Sequence, residues 1–212
     1  LIDLKPGEKC VAYLPISDFE KGEDFLVFAT AQAKVKRSSL KLYQNVNRSG
    51  LIAINLNDGD ELVGVACTAG HDHLLLGTAN GMSIRFEEDD ARAMGRSSAG
   101  VKGIDLADGD RVVGLVKIQM NDSGEATDSV RGDVDLLTVT ENGYGKRTDL
   151  KEYLVASEQE DGSYEYRTQS RGGKGRRDIK TTARNGKVVA MKSVIDNEDI
   201  VFVTRSGMIV RT

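Results

Sequence analysis

Cysteine, proline and tryptophan are scarce in this chain of 212 residues, which has 2 cysteines, 2 prolines and no tryptophan. Cys10 and Cys67 lie far apart in the sequence, which excludes the disulfide framework of a small secreted domain and favours a reducing compartment. No apolar stretch approaches the roughly 20 residues that a membrane-spanning helix needs. We therefore expect a soluble cytoplasmic protein with a hydrophobic core and no membrane partner.

Glycine, in contrast, is frequent, with 23 residues. Glycine tolerates the positive φ angles of tight turns, and its abundance beside so few prolines is typical of many short strands joined by such turns. Sustained helical periodicity is missing, and only residues 87–94, EEDDARAM, could form a turn or two of helix. The sequence predicts an all-β fold.

A repeated pattern indicates how the strands are arranged. Apolar runs end in a threonine at four places, which are Thr30, Thr78, Thr140 and Thr204. A small residue follows each threonine at the third position, and the four are Ala33, Gly81, Gly143 and Gly207. An arginine follows at the seventh position, and the four are Arg37, Arg85, Arg147 and Arg211. Glycine at this place suits a two-residue hairpin turn, so each pattern predicts a β-hairpin.

Further short strands are expected on both sides of each hairpin. A glycine turn and an apolar run precede each hairpin, and a polar loop with a short apolar segment follows the first three. Four-stranded units of this kind bury their faces when they are arranged radially as blades. We predict a single domain over 1–212, with repeats at about 1–50, 51–100, 101–173 and 174–212, the last one incomplete.

Basic residues are concentrated in two stretches, although the formal net charge is -4. Residues 30–56 contain no acid, and residues 167–187 contain a single one, Asp178, among eight basic residues. Because the repeated arginine keeps its distance from the turn, we expect a basic stripe on one face, which would bind phosphates without reading sequence. The alternative is that these arginines only solvate a β-surface. The candidate phosphate ligands are Lys36, Arg37, Arg48, Arg85, Arg96, Lys146, Arg147 and Arg211.

The segment Gln169–Arg177, QSRGGKGRR, has a chemistry of its own. Adjacent glycines let backbone N–H groups approach a phosphate, and the basic side chains add charge-assisted hydrogen bonds. It is not a nucleotide-binding P-loop, because Lys174 is followed by Gly175 rather than by serine or threonine. The candidate residues for a phosphate backbone are Gln169, Arg171, Gly172, Gly173, Lys174, Gly175, Arg176 and Arg177.

The repeats, together with residues 95–115, 142–153 and 169–176, resemble the C-terminal domain of the DNA gyrase A subunit over the whole chain. That family folds as a β-pinwheel, a propeller-like disc of four-stranded blades, so the chain is expected to be a fragment of a larger pinwheel. The family's signature is a box of the form Q-[RK]-R-G-G-[RK]-G, which Gln169 and Arg171–Gly175 match, while Ser170 replaces a basic residue. Either this loop is the box, or it is a later copy and the box itself precedes this chain.

The resemblance also implies a function. The domain would bind, bend and wrap duplex DNA around a basic rim, without sequence preference, so that DNA gyrase can introduce negative supercoils at the expense of ATP. No catalytic residue, metal or cofactor is expected in this chain. ATP and magnesium would belong to the parent enzyme, an A2B2 assembly of the whole A subunit with the B subunit.

Other interpretations are also compatible with the sequence. The C-terminal domain of the topoisomerase IV A subunit is a related alternative, and a propeller-like module that binds proteins is another. Cys67, His71 and His73 offer at most three ligands to a metal, so we expect an exposed turn there instead. The acidic insert Asn121–Asp133 could compete with DNA for the rim or form a solvated loop.

Overall fold

The computed structural model describes residues 4–20, 24–47, 50–121, 125 and 134–212. Arg48 lies outside these residues, and so does the acidic insert apart from Asn121 and Glu125. Within the described ranges the secondary structure consists of β-strands and short 3₁₀ turns, and none of the helices there is long and apolar enough to cross a membrane. The prediction of an all-β fold is confirmed.

The strands are short, as the frequent glycines indicated. In chain order they are β1 Phe25–Thr30, β2 Lys34–Ser39, β3 Leu62–Thr68, β4 His73–Thr78, β5 Met82–Glu87, β6 Val101–Lys102, β7 Val112–Ile118, β8 Asp135–Thr140, β9 Gly145–Asp149, β10 Val155–Glu158, β11 Tyr164–Arg167, β12 Arg176–Arg177, β13 Val188–Val194, β14 Val201–Val203 and β15 Ile209–Arg211. The 3₁₀ turns are Leu40–Tyr43, Glu88–Asp90 and Leu150–Tyr153.

Hydrogen bonds group these strands into antiparallel sheets, which we call blades. Blade 1 has the strand order β3-β1-β2-β6, and blade 2 has the order β7-β4-β5-β12. In the described part of the chain, blade 3 contains β13-β8-β9 and blade 4 contains the hairpin β14-β15, while β10 and β11 pair only with each other. The four hairpins expected from the repeated pattern are therefore all present.

The chain returns twice to the preceding blade. Strand β6 follows the hairpin of blade 2 in sequence but pairs with β2 of blade 1, where Val101 lies opposite Val35. In the same way, β12 follows the hairpin of blade 3 and pairs with β5 of blade 2, where Arg176 lies opposite Ser83. Blades 1 and 2 therefore each contain strands from more than one of the predicted sequence repeats. The repeat boundaries near residues 50, 100 and 173 stay a prediction.

The hairpin turns have the backbone conformation that the glycines predicted. Gly81, Gly143 and Gly207 have φ angles of 83°, 79° and 84°. Ala33, which breaks the glycine rule in the first repeat, adopts the same left-handed conformation with φ 63°. An L-residue with a Cβ is strained there, so the surrounding hydrogen bonds of blade 1 must hold this turn in place.

Two expected strands are absent from the described residues. Neither 4–20 nor 50–56 contains a strand, although the sequence suggested an opening strand in the first and a fourth strand in the second. A strand needs a hydrogen-bonding neighbour for its backbone groups, and neither segment pairs with a sheet within the described ranges. The helical turn expected at 87–94 is present as the 3₁₀ turn Glu88–Asp90.

The core lies between the blades rather than within one of them. Strand β4 is buried on both faces: Leu74 and Leu76 pack against Val27 and Val35 of blade 1, and Leu75 belongs to a second cluster with residues of blade 3. This alternation follows from the period of two in a strand. The blades therefore stack face to face, and side chains from both faces of a central blade are removed from water.

Candidate nucleic-acid interface

Lys36 and Arg37, two of the cations in the first basic stretch, are buried, and Lys36 shows what occupies such a position. Lys36 is 0% exposed, and its ammonium group donates hydrogen bonds to the main-chain oxygens of Ala53 and Arg96. It also lies 5.2 Å from the ring centroid of Phe28. Burial, together with the positive charge of Arg96, lowers the pKa of Lys36 to about 8. This lysine connects segments of the protein and presents no charge to a ligand at the surface.

The first two of the repeated arginines are also buried, Arg37 with 6% and Arg85 with 1% exposure. The guanidinium group of Arg37 lies 4.0 Å from the ring centroid of Phe25 and 2.8 Å from a carboxylate oxygen of Asp89. Arg85 donates to Nδ1 of His73 from Nε and Nη2, over 3.2 and 3.0 Å. The expectation of a stripe of exposed arginines is therefore wrong for Arg37 and Arg85, because neighbouring blades cover the strands that carry them.

These buried arginines connect consecutive blades. Arg37 of blade 1 binds Asp89 in the 3₁₀ turn that follows β5 of blade 2. Arg85 of blade 2 donates to the main-chain oxygen of Leu150, 2.9 Å away, in the 3₁₀ turn that follows β9 of blade 3. The constant offset of the arginine from the turn thus reflects a repeated contact between blades.

The environment of Arg85 favours a neutral His73. Burial, and secondly the positive charge of Arg85, lowers the pKa of His73 to about 4. The unprotonated Nδ1 can then accept from the guanidinium group. Burial also lowers the pKa of Arg85 to about 10, so this guanidinium remains charged at neutral pH.

Three of the remaining rim candidates are more accessible, but each already has a partner within the protein. Arg147 is paired with Asp135 at 2.6 Å and with Asp196 at 2.7 Å, and Arg211 is paired with Asp199. Lys146 donates to the main-chain oxygen of Asp178, 3.0 Å away. Arg96 is half-buried, and Arg48 lies outside the described residues. A phosphate would have to compete with a carboxylate at both paired arginines.

The second basic stretch, in contrast, is exposed. In residues 174–187, six cations have exposed side chains, and none of them lies within 4.0 Å of a carboxylate in the described part of the protein. We call them the basic surface: Lys174, Arg176, Arg177, Lys180, Arg184 and Lys187. The one acid among them, Asp178, is buried. The positive charge that the sequence placed in this stretch is therefore available to an anionic ligand.

The loop Gln169–Gly175 is fixed between blades 1 and 2 by its main chain. The N–H of Gln169 donates to the main-chain oxygen of Arg85 over 3.0 Å, and that of Gly172 donates to the main-chain oxygen of Gly103 over 2.7 Å. The main-chain oxygen of Gly173 accepts from the N–H of Asp105 at 2.8 Å. The amide of Gly172 is therefore engaged within the protein, and the loop has a rigid base.

Two predicted phosphate ligands in this segment, Arg171 and Arg176, already donate hydrogen bonds to main-chain oxygens of the protein. Arg171 is half-buried and donates from Nε to the main-chain oxygen of Asp90 over 3.1 Å and from Nη1 to that of Lys102. Arg176 donates to the main-chain oxygen of Leu154 over 2.9 Å but stays exposed. A groove of about 780 Å³ is lined by Arg176, Gln169 and Tyr166, among other residues. Among the described residues Lys174 has no such carbonyl contact, and it is more exposed than Arg171.

The loops 95–103 and 169–178 occupy equivalent places on successive blades. Gly175 has φ 69°, and a Cβ there would overlap with the main-chain oxygen of Ser83. Gly100 has φ 92°, and a Cβ there would meet the main-chain oxygen of Val35 in the same way. Close approach to the blade thus requires glycine at both positions. The two loops are copies of one structural element, which leaves open whether Gln169–Gly175 is the box or a later copy.

The described residues offer no group of three metal-ligating side chains. His71 is exposed, whereas His73 is partly buried and accepts from Arg85. The exposed turn expected for both histidines therefore holds for His71 alone.

The fold is similar to solved structures of topoisomerase domains. A crystal structure of the C-terminal domain of DNA topoisomerase IV matches with a TM-score of 0.81 and 26% identity, covering 100% of this chain and 58% of that one. A structure of the DNA gyrase A C-terminal domain matches with a TM-score of 0.70 and 24% identity, covering 90% of this chain and 56% of that one. The second likeness supports the fold alone.

Sequence relatives are more similar. The DNA gyrase A subunit of Staphylococcus epidermidis is 43% identical and that of Staphylococcus aureus is 40% identical, each over 210 residues and 99% of this chain. The chain spans 21% of the length of these relatives. The family model described as "DNA gyrase C-terminal domain, beta-propeller" matches residues 24–69, 72–119, 135–157 and 163–195. Since these matches cover well over half of the sequence, the chain belongs to the DNA gyrase C-terminal domain family.

Proposed function

We propose that this chain binds duplex DNA through the basic surface, without reading base sequence. The observation that carries the proposal is the concentration of six exposed cations in 174–187, none of which is paired with a carboxylate among the described residues. When lysine and arginine side chains bind phosphates, they release the counterions of the DNA, and the free energy of this release supplies most of the affinity for non-specific DNA. The net charge of -4 for the whole chain would repel the duplex elsewhere and so restrict it to this surface.

The proposed consequence of binding is a bent and wrapped duplex. Bending a site of 20–30 base pairs by 40–90° costs on the order of 1–6 kcal/mol, which several phosphate contacts can offset. The relatives in the two Staphylococcus species are A subunits of DNA gyrase. We therefore propose that the chain is the non-catalytic wrapping part of a DNA gyrase, and that the wrapped segment serves ATP-driven negative supercoiling in the cytoplasm.

In this proposal the chemistry lies outside the chain. ATP, magnesium and the groups that cleave DNA would belong to the B subunit together with the rest of the A subunit, in an A2B2 assembly. The role of this chain is geometric, since it supplies phosphate contacts along a curved path.

A second candidate is the wrapping part of topoisomerase IV. The match to the topoisomerase IV domain, with a TM-score of 0.81, favours it. The identities of 43% and 40% to gyrase subunits over nearly the whole chain outweigh the 26% identity to the topoisomerase IV domain. We therefore propose gyrase as the parent enzyme.

We further propose a division of labour among the predicted site residues. Lys174, Arg177 and Lys180 contact phosphates directly, because they are exposed and no carboxylate lies within 4.0 Å among the described residues. Lys36, Arg37 and Arg85 support the fold and do not contact phosphates, because each is buried and hydrogen-bonded to other groups of the protein. Arg147 and Arg211 would reach a phosphate only after leaving their aspartates.

The test is a titration of this chain with a linear duplex of about 40 base pairs over a salt series. The variant K174A/R177A/K180A removes three cations of the basic surface. The control K41A/K117A/K192A removes three lysines that are exposed elsewhere, so both variants change the net charge equally. We expect affinity to fall steeply with salt in the wild type, and the slope to lose about 0.9 per phosphate contact only in the first variant. Equal losses in both variants, or no binding at low salt, would refute the proposal.

A further inference from the structure

Asp178 lies within the basic surface in sequence, yet its side chain is only 1% exposed. The carboxylate oxygen Oδ2 accepts a hydrogen bond from the hydroxyl of Thr138 at 2.6 Å, and Oδ1 accepts one from the hydroxyl of Tyr153 at 2.7 Å. The ammonium group of Lys146 lies 3.8 Å from Oδ1. A buried carboxylate is tolerated only when it is paired and hydrogen-bonded, and both oxygens of Asp178 meet this condition.

The main chain and the side chain of Asp178 bind different blades. Its N–H donates over 2.9 Å to the main-chain oxygen of Gly81, in the hairpin turn of blade 2. Thr138, Lys146 and Tyr153 belong to β8, to β9 and to the following 3₁₀ turn of blade 3. Asp178 therefore connects blades 2 and 3 at the place where the chain carries its exposed cations.

The equivalent position at the preceding junction has no side chain. Gly103 donates its N–H to the main-chain oxygen of Ala33 over 2.7 Å, as Asp178 does to Gly81. A Cβ at Gly103 would overlap with the side chains of Leu76 and Val35, so that junction is closed by apolar groups. Of the two equivalent positions, Gly103 has no side chain, whereas Asp178 has a carboxylate that bonds to blade 3. Asp178 is also the one that lies beside the basic surface.

We propose that Asp178 is the positioning residue of the basic surface: it holds the chain from Lys174 to Lys180 across the junction of blades 2 and 3, so that its cations contact the duplex together. This inference rests on the proposed function. The buried negative charge also reduces the mutual repulsion of the cations around it.

The partners of Asp178 are suited to this role. Burial, and secondly the hydrogen bond to Asp178, raises the pKa of Tyr153, so its hydroxyl keeps the proton that it donates. Thr138 is 0% exposed and Tyr153 is 2% exposed, so water does not compete for the carboxylate.

The DNA affinity of Asp178→Ala distinguishes two roles of this residue. If only its charge matters the affinity should rise, and if it positions the cations the affinity should fall. Removing a negative charge beside phosphates should by itself strengthen DNA binding. Positioning predicts instead that affinity at constant salt falls about tenfold or more, and that the salt slope loses about two phosphate contacts. The control is Asp105→Ala, in the equivalent loop, where the carboxylate is 42% exposed and pairs with Lys102 at 2.7 Å. We expect it to leave affinity unchanged or to raise it slightly.

Two further measurements separate positioning from a loss of folding. The variants Thr138→Val and Tyr153→Phe keep the charge of Asp178 and remove one donor each, so each should weaken binding in the same direction while unfolding remains cooperative. K174A/R177A/K180A should also cost less affinity in the Asp178→Ala background than in the wild type, because the cations no longer act together. Additive effects would overturn the inference.

The two proposals fail in distinguishable ways. If the wild-type chain does not bind the duplex at low salt, the proposed function is wrong. If the wild type binds and Asp178→Ala binds equally well or more tightly, the proposed function stands and only the role of Asp178 is refuted. If Asp178→Ala does not fold, Thr138→Val decides, and unchanged affinity in that folded variant would overturn the inference.

Discussion

Arg85 in blade 2 donates a hydrogen bond from its guanidinium group to the main-chain oxygen of Leu150 in blade 3, over a distance of 2.9 Å. Arg37 makes the corresponding contact one blade earlier, with Asp89 of blade 2. The arginine that recurs seven residues after each threonine is thus explained, in the first two repeats, by the stacking of blades. In the proposed function, the direct phosphate contacts therefore come from cations other than Arg37 and Arg85.

We predict that Arg85→Ala lowers the free energy of unfolding by about 2–4 kcal/mol, because it leaves buried polar groups of His73 and Leu150 without a donor. Arg211→Ala is the matched control, since Arg211 occupies the same repeat position but has a side chain that is 73% exposed. A surface ion pair contributes about 0–1 kcal/mol, so the control should change little. Urea unfolding measures both, and equal losses would contradict the role of Arg85 as a contact between blades.

The sequence was sufficient to predict the hairpins, their glycine turns and the blade architecture, because these depend on local periodicity and on φ angles that glycine favours. It could not predict where the arginines point. In an ordinary sheet the period of two separates a buried face from an exposed one, but here blades cover both faces of β4 and β5, so Leu74, Leu75 and Arg85 are all internal. The separation of inside from outside depends on the neighbouring blade.

The box shows the same limit. Its glycines and its basic character were evident from the sequence, and Lys174 is exposed. The carbonyls that hold Arg171 belong to Asp90 and Lys102, which are distant in sequence. Only the return of the chain to the preceding blade brings these groups together.

Acidification should destabilise the protein through His73. Its pKa is about 4 in the folded chain, against an ordinary value of 6.5, so between these values the unfolded chain binds the proton that the folded chain does not. Stability therefore falls as the pH falls from about 6.5 to 4. We predict that His73→Gln, which keeps an acceptor for Arg85, removes about 1–3 kcal/mol of the loss between pH 7 and pH 4.5.

The control for this experiment is His71→Gln, two residues away and exposed. Denaturant unfolding at the two pH values should give the wild-type difference in this control and a smaller difference in His73→Gln. An identical pH dependence in all three proteins would refute the assignment of the acid-sensitive group.

Arg171 and Lys174 lie in the same loop but should give opposite phenotypes. Arg171→Ala removes the donor to the main-chain oxygens of Asp90 and Lys102, so we predict a loss of about 1–2 kcal/mol in stability with little change in the salt slope of DNA binding. Lys174→Ala should lower the slope by about 0.9 and leave stability unchanged. A shallower slope and full stability in Arg171→Ala would mean that this arginine contacts phosphates directly.

Gly81 and Gly143 occupy the same turn position in successive hairpins, with φ angles of 83° and 79°, but their surroundings differ. A Cβ at Gly81 would overlap with the main-chain oxygen of Ile179, whereas a Cβ at Gly143 would meet nothing within 4 Å. Gly143→Ala should therefore cost only the left-handed strain of about 1–2 kcal/mol. Gly81→Ala should cost more, because residues 178–179 must move away from the turn.

This displacement should also reach DNA binding, since the N–H groups of Asp178 and Ile179 both donate to the main-chain oxygen of Gly81. We predict that Gly81→Ala weakens duplex binding several-fold at constant salt and lowers the salt slope, while Gly143→Ala binds like the wild type. Urea unfolding and a salt series on both variants measure the two effects. If Gly81→Ala lost stability but kept its full slope, the turn of blade 2 would support the fold without setting the position of the basic surface.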